Sequence, residues 1–155
     1  MKKPGILAAA LAVSFGLATQ AAAYSFAPKS TNFTTSGGSN VTISYNGTTE
    51  ATGCTLSLTY STDASGVATI TAATFGGSTA CSGVTATNLP WTWSATGTGV
   101  STASSIGITG SFGTCSATTY GVPVNRNNSF VFENHNSCGF VGYVIPSPTM
   151  TIVNP

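Results

Sequence analysis

The sequence predicts an all-β protein, an antiparallel β-sandwich of about seven to ten short strands with two disulfides, preceded by a signal-peptide helix. Two observations predict this class. Beyond the first 23 residues, no stretch repeats its apolar residues at the period of a helix. Short segments instead alternate an apolar residue with Thr or Ser and stop at turn residues, which is typical of sheets that bury one face.

The alternating segments follow one another along the chain. Residues 40–47 end in Asn46-Gly47, a pair typical of a two-residue hairpin turn. Residues 54–66 place Cys54, Leu56, Leu58 and Tyr60 at alternate positions before turning through 63–66. The remaining segments are 67–77, 91–99, 104–112, 118–134 (two strands joined by a polar turn at 125–128), 140–145 and 149–155, the last two expected to pair.

Residues 1–23 have the pattern of a cleaved signal peptide. Lys2 and Lys3 precede an apolar run from Ile6 to Ala18, and Ala21 and Ala23 supply the small residues that signal peptidase requires. The run is too short to span a bilayer, and no other segment is long enough, so no transmembrane segment is expected after cleavage. We expect a secreted, extracellular or cell-surface protein that passes through the periplasm.

The mature chain, residues 24–155, has the size of a single domain. Its first part, residues 24–39, alternates less regularly and is either a flexible arm or an added edge strand.

Four cysteines in an exported chain indicate disulfides: Cys54, Cys81, Cys115 and Cys138. Three pairings are open. Cys54–Cys81 with Cys115–Cys138 is favoured because pairs that are local in sequence are simplest in a β-meander. The chain has no C-x-x-C spacing and only one histidine, so no metal site is expected.

Charge is scarce. The mature chain has two basic residues, Lys29 and Arg126, against the three acids Glu50, Asp63 and Glu133, for a net charge of −1. Nucleic acid is therefore not an expected partner, because phosphate binding requires clustered Lys and Arg. A surface composed of hydroxyls and amides repels other molecules weakly and suits adhesion, self-association or spreading at an oil–water boundary.

The same scarcity argues against an enzyme. A Ser-His-Asp triad would have to use His135 with Asp63, and a glycosidase pair would have to use Glu50 with Glu133. No G-x-S-x-G motif accompanies them. We therefore expect no catalytic residues and no cofactor.

Trp91 and Trp93 lie two residues apart, so on a strand they point to the same side. If that side is inward they belong to the core. If it is outward they form an aromatic platform for sugar rings or alkyl chains, as in a carbohydrate-binding module.

The mature chain resembles the alkane-oxidation activator family, the PraB-type exported bacterial proteins. The resemblance rests on "SFAPKSTNFTTSG", "GCTLSLTYSTDASGVATITAATFGGSTAC", "VTATNLPW", "FGTCSATTYGVPVNRNNSFVFENHNSC" and "PSPTMTIVNP". It covers nearly the whole mature chain, and "ATNLPW" with a cysteine just upstream is its most specific part.

The resemblance implies a small secreted, non-enzymatic factor that helps cells use n-alkanes, by aiding emulsification or contact with oil droplets. Alkane droplets or other hydrophobic surfaces are then the expected partners. Two alternatives remain: the carbohydrate-binding module, and a homo-oligomeric fibre or biofilm-matrix subunit that assembles by adding residues 24–39 to a sheet edge.

Overall fold

Most of the predicted alternation forms β-strands. The computed structural model describes residues 23–35, 39–123, 130–132 and 138–154. Every strand pairing within them is antiparallel, which confirms the all-β class. The elements are β1 (Ser25–Ala27), β2 (Asn32–Thr35), β3 (Asn40–Tyr45), β4 (Thr48–Thr62), β5 (Ala68–Gly76), α1 (Thr79–Ser82), β6 (Thr85–Thr87), β7 (Trp91–Gly97), β8 (Val100–Gly110), β9 (Gly113–Pro123), β10 (Phe130–Phe132), β11 (Cys138–Val144), β12 (Pro146–Ser147) and β13 (Thr151–Val153).

Two parts of the sequence prediction fall outside the described residues, and the number of strands differs from the prediction. Residues 1–22, which contain most of the predicted signal peptide, lie outside the described residues, as does the polar turn at 125–128. The described strands are more numerous than predicted. Five of them (β1, β6, β10, β12 and β13) have only two or three residues, too few to produce a recognisable alternation.

Strand β4 shows how the alternation becomes a core. Its apolar residues point inward and the hydroxyl residues between them point outward: buried Cys54, Leu56, Leu58 and Tyr60 alternate with exposed Thr55, Ser57 and Thr59.

The predicted hairpin before β4 is also present. Asn46 and Gly47 both have positive φ, 48° and 78°, which is the backbone of a type I′ turn, and they join Tyr45 to its partner Thr48.

Eleven of the strands form one sheet, whose main path runs β10-β11-β3-β4-β5-β6-β8-β7. Strands β6 and β7 both lie between β5 and β8 and pair with different parts of them. At the margins, β2 pairs with β4, β12 with β2, and β9 with β8. Strands β1 and β13 form a separate two-stranded sheet.

The large sheet folds over on itself. Along its path, β11 and β5 are three strand spacings apart, or about 14 Å. Even so, the ring of Phe140 on β11 lies 5.8 Å from that of Phe75 on β5. Phe130 on β10 likewise reaches Trp93 on β7, with 4.5 Å between ring centroids. The two facing layers therefore come from one bent sheet, with the core between them, and not from two separate sheets.

The expected pairing of the last two segments is wrong. Strand β11 pairs with β10 and β3, while β13 pairs with β1. Between them, β12 (Pro146–Ser147) pairs with β2 and carries the chain away from β11. Local sequence could not show this, because β3, which pairs with β11, and β1, which pairs with β13, lie about a hundred residues or more away in the chain.

Residues 24–39 were predicted to form an arm or an edge strand, and their described part is bound to the domain. Phe26 on β1 and Phe33 on β2 are both fully buried. The ring of Phe26 packs against Trp93 at 5.0 Å, and its backbone N–H donates to the carbonyl of Gly66 at 2.9 Å. The proposed donated strand is thus already paired within its own chain.

One predicted disulfide is present. Cys54 on β4 is bonded to Cys81 on α1, with both residues fully buried and their Cα atoms 5.4 Å apart. The bond fastens the short α1 to the long β4. Cys115 is buried on β9, and the side chain of Cys138 lies outside the described residues, so the second pair stays a prediction.

Candidate functional site

The structure buries both tryptophans. Trp91 and Trp93 point to the same side of β7, and that side is the core, where each is 0 % exposed. The indole N–H of Trp91 donates to the carbonyl of Thr87 at 2.7 Å, and that of Trp93 donates to the hydroxyl of Ser101 at 2.8 Å. The aromatic platform is therefore not at the surface, since neither ring offers a face to a sugar or alkyl chain from solvent.

The few groups considered for catalysis are not brought together where the structure describes them. Glu50 is exposed on β4, and Asp63 is exposed in the turn between β4 and β5. Glu133 and His135 lie outside the described residues. Among the residues that are described, no three His, Cys, Asp or Glu side chains come close enough to hold a metal ion.

Asp63 has a structural role in its turn. Its carboxylate accepts hydrogen bonds from the hydroxyl of Ser65 at 2.6 Å, the N–H of Ser65 at 2.8 Å and the N–H of Val67 at 2.9 Å. The hydroxyl of Ser65 and the N–H of Val67 hold the pKa of Asp63 below its usual value of 3.8. The carboxylate is thus bound by its own loop, and what it does is close the β4–β5 hairpin.

Acid should loosen this hairpin. Because the pKa of Asp63 is lower in the folded than in the unfolded chain, the carboxylate stabilises the fold above pH 3.8 and loses that contribution as pH falls through the folded pKa. Thermal unfolding of wild type and Asp63→Asn between pH 7 and pH 2 checks this. We expect the melting temperatures to differ at pH 7 and to converge toward pH 2; parallel curves would contradict the assignment.

The outer surface of the large sheet carries rows of hydroxyl groups. In one row, residues that are partners in the register cross five strands from β4 to β9: Ser57, Thr74, Thr85, Thr109 and Thr114. A second row crosses β4, β5, β7 and β8: Ser61, Thr69, Thr92 and Ser104. We refer to these two rows as the hydroxyl face. With about 4.8 Å between strands, the longer row extends about 19 Å.

The hydroxyl face is uncharged. No Asp, Glu, Lys or Arg occurs between residues 64 and 125, which include all of β5 to β9. Neighbouring hydroxyls bond to one another instead: the Oγ1 atoms of Thr109 and Thr114, two members of the longer row, are 3.1 Å apart. Such pairs stabilise adjacent strands and leave a surface that water wets without strong electrostatic repulsion between copies.

The alternation is visible in the sequence, but these rows are not. Each strand shows its hydroxyl residues, whereas their alignment across strands depends on registers that only the fold determines.

A family model described as "Alkane oxidation protein activator PraA/PraB-like" matches residues 1–154. The chain belongs to this family. The resemblance predicted from sequence is thereby confirmed. No significant match was found among curated proteins or among solved structures.

The segments that carry the PraA/PraB resemblance have structural roles in the described chain. The "ATNLPW" element begins on β6, forms the bend in which Asn88 has a positive φ of 58°, and ends with Trp91 in the core. The segment 53–81 contains β4, β5 and the Cys54–Cys81 bond. Both segments thus contribute residues to the core, and the second contains its crosslink. In the described part of the chain, none of the helical structure has the length and hydrophobicity of a membrane-spanning segment.

Proposed function

We propose that this PraA/PraB-like protein is exported, is not an enzyme, and helps cells use n-alkanes by acting at the boundary between oil and water. Family membership carries the proposal, since the matching description concerns activation of alkane oxidation. An activator of an oxidation need not perform it. A protein outside the cell can promote it by dispersing the oil or by bringing cells into contact with it.

The surface chemistry supports an interfacial role. A molecule that collects at an oil–water boundary must tolerate close packing with copies of itself. Interspersed charges oppose such crowding, and the hydroxyl face has none. The buried disulfide and the aromatic core stabilise the fold, so the protein should stay folded when one side of it leaves water.

The structure favours neither alternative function. The carbohydrate-binding hypothesis needs Trp91 and Trp93 at the surface, and both are in the core. The fibre hypothesis needs a free N-terminal arm, and β1 is paired with β13 of its own chain.

Growth on hexadecane tests the proposal. A strain lacking the gene should grow more slowly than wild type on hexadecane and equally well on succinate, and the gene supplied in trans should restore growth. An Ala21→Arg/Ala23→Arg variant, which removes the small residues required for signal cleavage, should fail to restore it. Equal growth of the deleted and wild-type strains on hexadecane would contradict the proposal.

Purified mature protein provides a second test that does not depend on growth. It should lower the tension of a hexadecane–water interface in a pendant-drop measurement and stabilise a hexadecane emulsion. A protein that leaves the tension at its buffer value would exclude direct interfacial action, whatever the growth phenotype.

A further inference from the structure

Strand β11 differs from the rest of the large sheet because it is apolar on both sides. Phe140 and Val144 point inward and are buried, whereas Val141 and Tyr143 point outward and are 40 % and 41 % exposed. Strands that are apolar on both faces normally have both faces covered. Here the outer face of β11 meets solvent, at the positions where β4 and β5 carry Thr and Ser.

The described register partners of this pair are uncharged. In the register, Val141 lies opposite Thr42 on β3, and Tyr143 lies opposite Asn40 on β3 and Val131 on β10. No Asp, Glu, Lys or Arg occurs in β3, β10 or β11. Removing a charged group from water is the largest cost of transferring a surface to an apolar phase. Covering this area with such a phase would remove no charged group of these three strands from water.

The pair also lies on the side of the molecule opposite the hydroxyl residues of β5 and β7. Phe140 of β11 packs against Trp91 of β7 in the core, with 6.3 Å between ring centroids. Because the inner sides of these two strands face each other, their outer sides point in opposite directions. One side thus presents Val141 and Tyr143, and the other presents the part of the hydroxyl face that contains Thr92 of β7 and its partner Thr69 of β5.

We propose that Val141 and Tyr143 form the surface that contacts hydrocarbon, so that the protein lies on an oil droplet with β11 toward the oil and the hydroxyl face toward water. This inference rests on the proposed interfacial function and names the part of the molecule that performs it. Tyrosine suits the position, because its ring is apolar while its hydroxyl can remain in water at the boundary.

The test compares two double variants of the purified mature protein in pendant-drop measurements against hexadecane. Val141→Thr/Tyr143→Thr gives β11 the outward residues of the hydroxyl strands. Val100→Thr/Val153→Thr is the matched control, because it removes two other exposed apolar side chains, 46 % and 38 % exposed, from β8 and β13. Melting temperature and size-exclusion chromatography show whether each variant folds and whether its oligomeric state changes.

We expect the β11 variant to need roughly tenfold more protein than wild type to reach the same tension, since each side chain contributes only its exposed part to the transfer. The control should behave as wild type. The inference is overturned if the β11 variant matches wild type, if the control loses as much activity, or if the β11 variant changes the oligomeric state, which would make a second copy the partner of this face. A wild-type protein without interfacial activity would instead refute the proposed function itself.

Discussion

Replacing Trp93 with alanine should reduce the free energy of unfolding by about 3–5 kcal/mol, the usual range for removing a buried tryptophan. Among the described residues, its ring contacts those of Phe26, Tyr60 and Phe130, with centroid distances of 5.0 Å, 5.7 Å and 4.5 Å. Trp93 thus joins β1, β4, β7 and β10, and alanine would leave a cavity between them. Urea unfolding followed by circular dichroism measures the loss.

Thr92 provides the matched control for this prediction. It is adjacent to Trp93 on β7 but exposed on the opposite side, so Thr92→Ala should change stability by no more than about 0.5 kcal/mol. The experiment also separates a core residue from a ligand platform. A platform tryptophan would lose ligand binding on substitution and keep its stability, so an unchanged unfolding curve for Trp93→Ala would contradict the structure.

Removing the Cys54–Cys81 bond should have the second largest effect. The bond closes a loop with a sequence separation of 27 residues. In the chain-entropy model, opening a loop of this size costs about 3.5 kcal/mol of stability, because the unfolded chain gains freedom. We expect Cys54→Ala/Cys81→Ala to unfold at a correspondingly lower urea concentration than wild type.

Reduction of the wild-type protein is a less selective comparison, because the reductant would also act on the predicted bond between Cys115 and Cys138. The double variant therefore isolates the β4–α1 bond. A variant as stable as wild type in the absence of reductant would show that packing holds α1 on β4 without the crosslink.

Sequence predicted those features that depend on neighbours in the chain. The alternation from Cys54 to Tyr60 predicted which side of β4 is buried, and Asn46-Gly47 predicted the hairpin before it. The spacing of Trp91 and Trp93 likewise predicted that they share a side. The sequence alone does not show which side this is, because that depends on packing against Phe26 and Phe130, which are distant from Trp93 in the chain.

Features that depend on long-range strand pairing could not be predicted from the sequence. The pairing of β11 with β3, the pairing of β13 with β1, the folding over of the sheet and the alignment of the hydroxyl rows all depend on registers between distant strands. The outward apolar pair on β11 did leave a signal in the sequence. The run "FVGYV" from Phe140 to Val144 lacks the Thr and Ser that alternate elsewhere, which is expected when a strand is apolar on both sides.

The pairing of β1 with β13 has a consequence for the export proposed above. Ser25, near the beginning of the domain, is aligned with Val153 near its end. A polypeptide threaded through a membrane pore with its amino terminus first would present β1 long before β13 emerged. Phe26 would then lack part of its packing until translocation was nearly complete, so the last native contacts would form only on the far side of the pore.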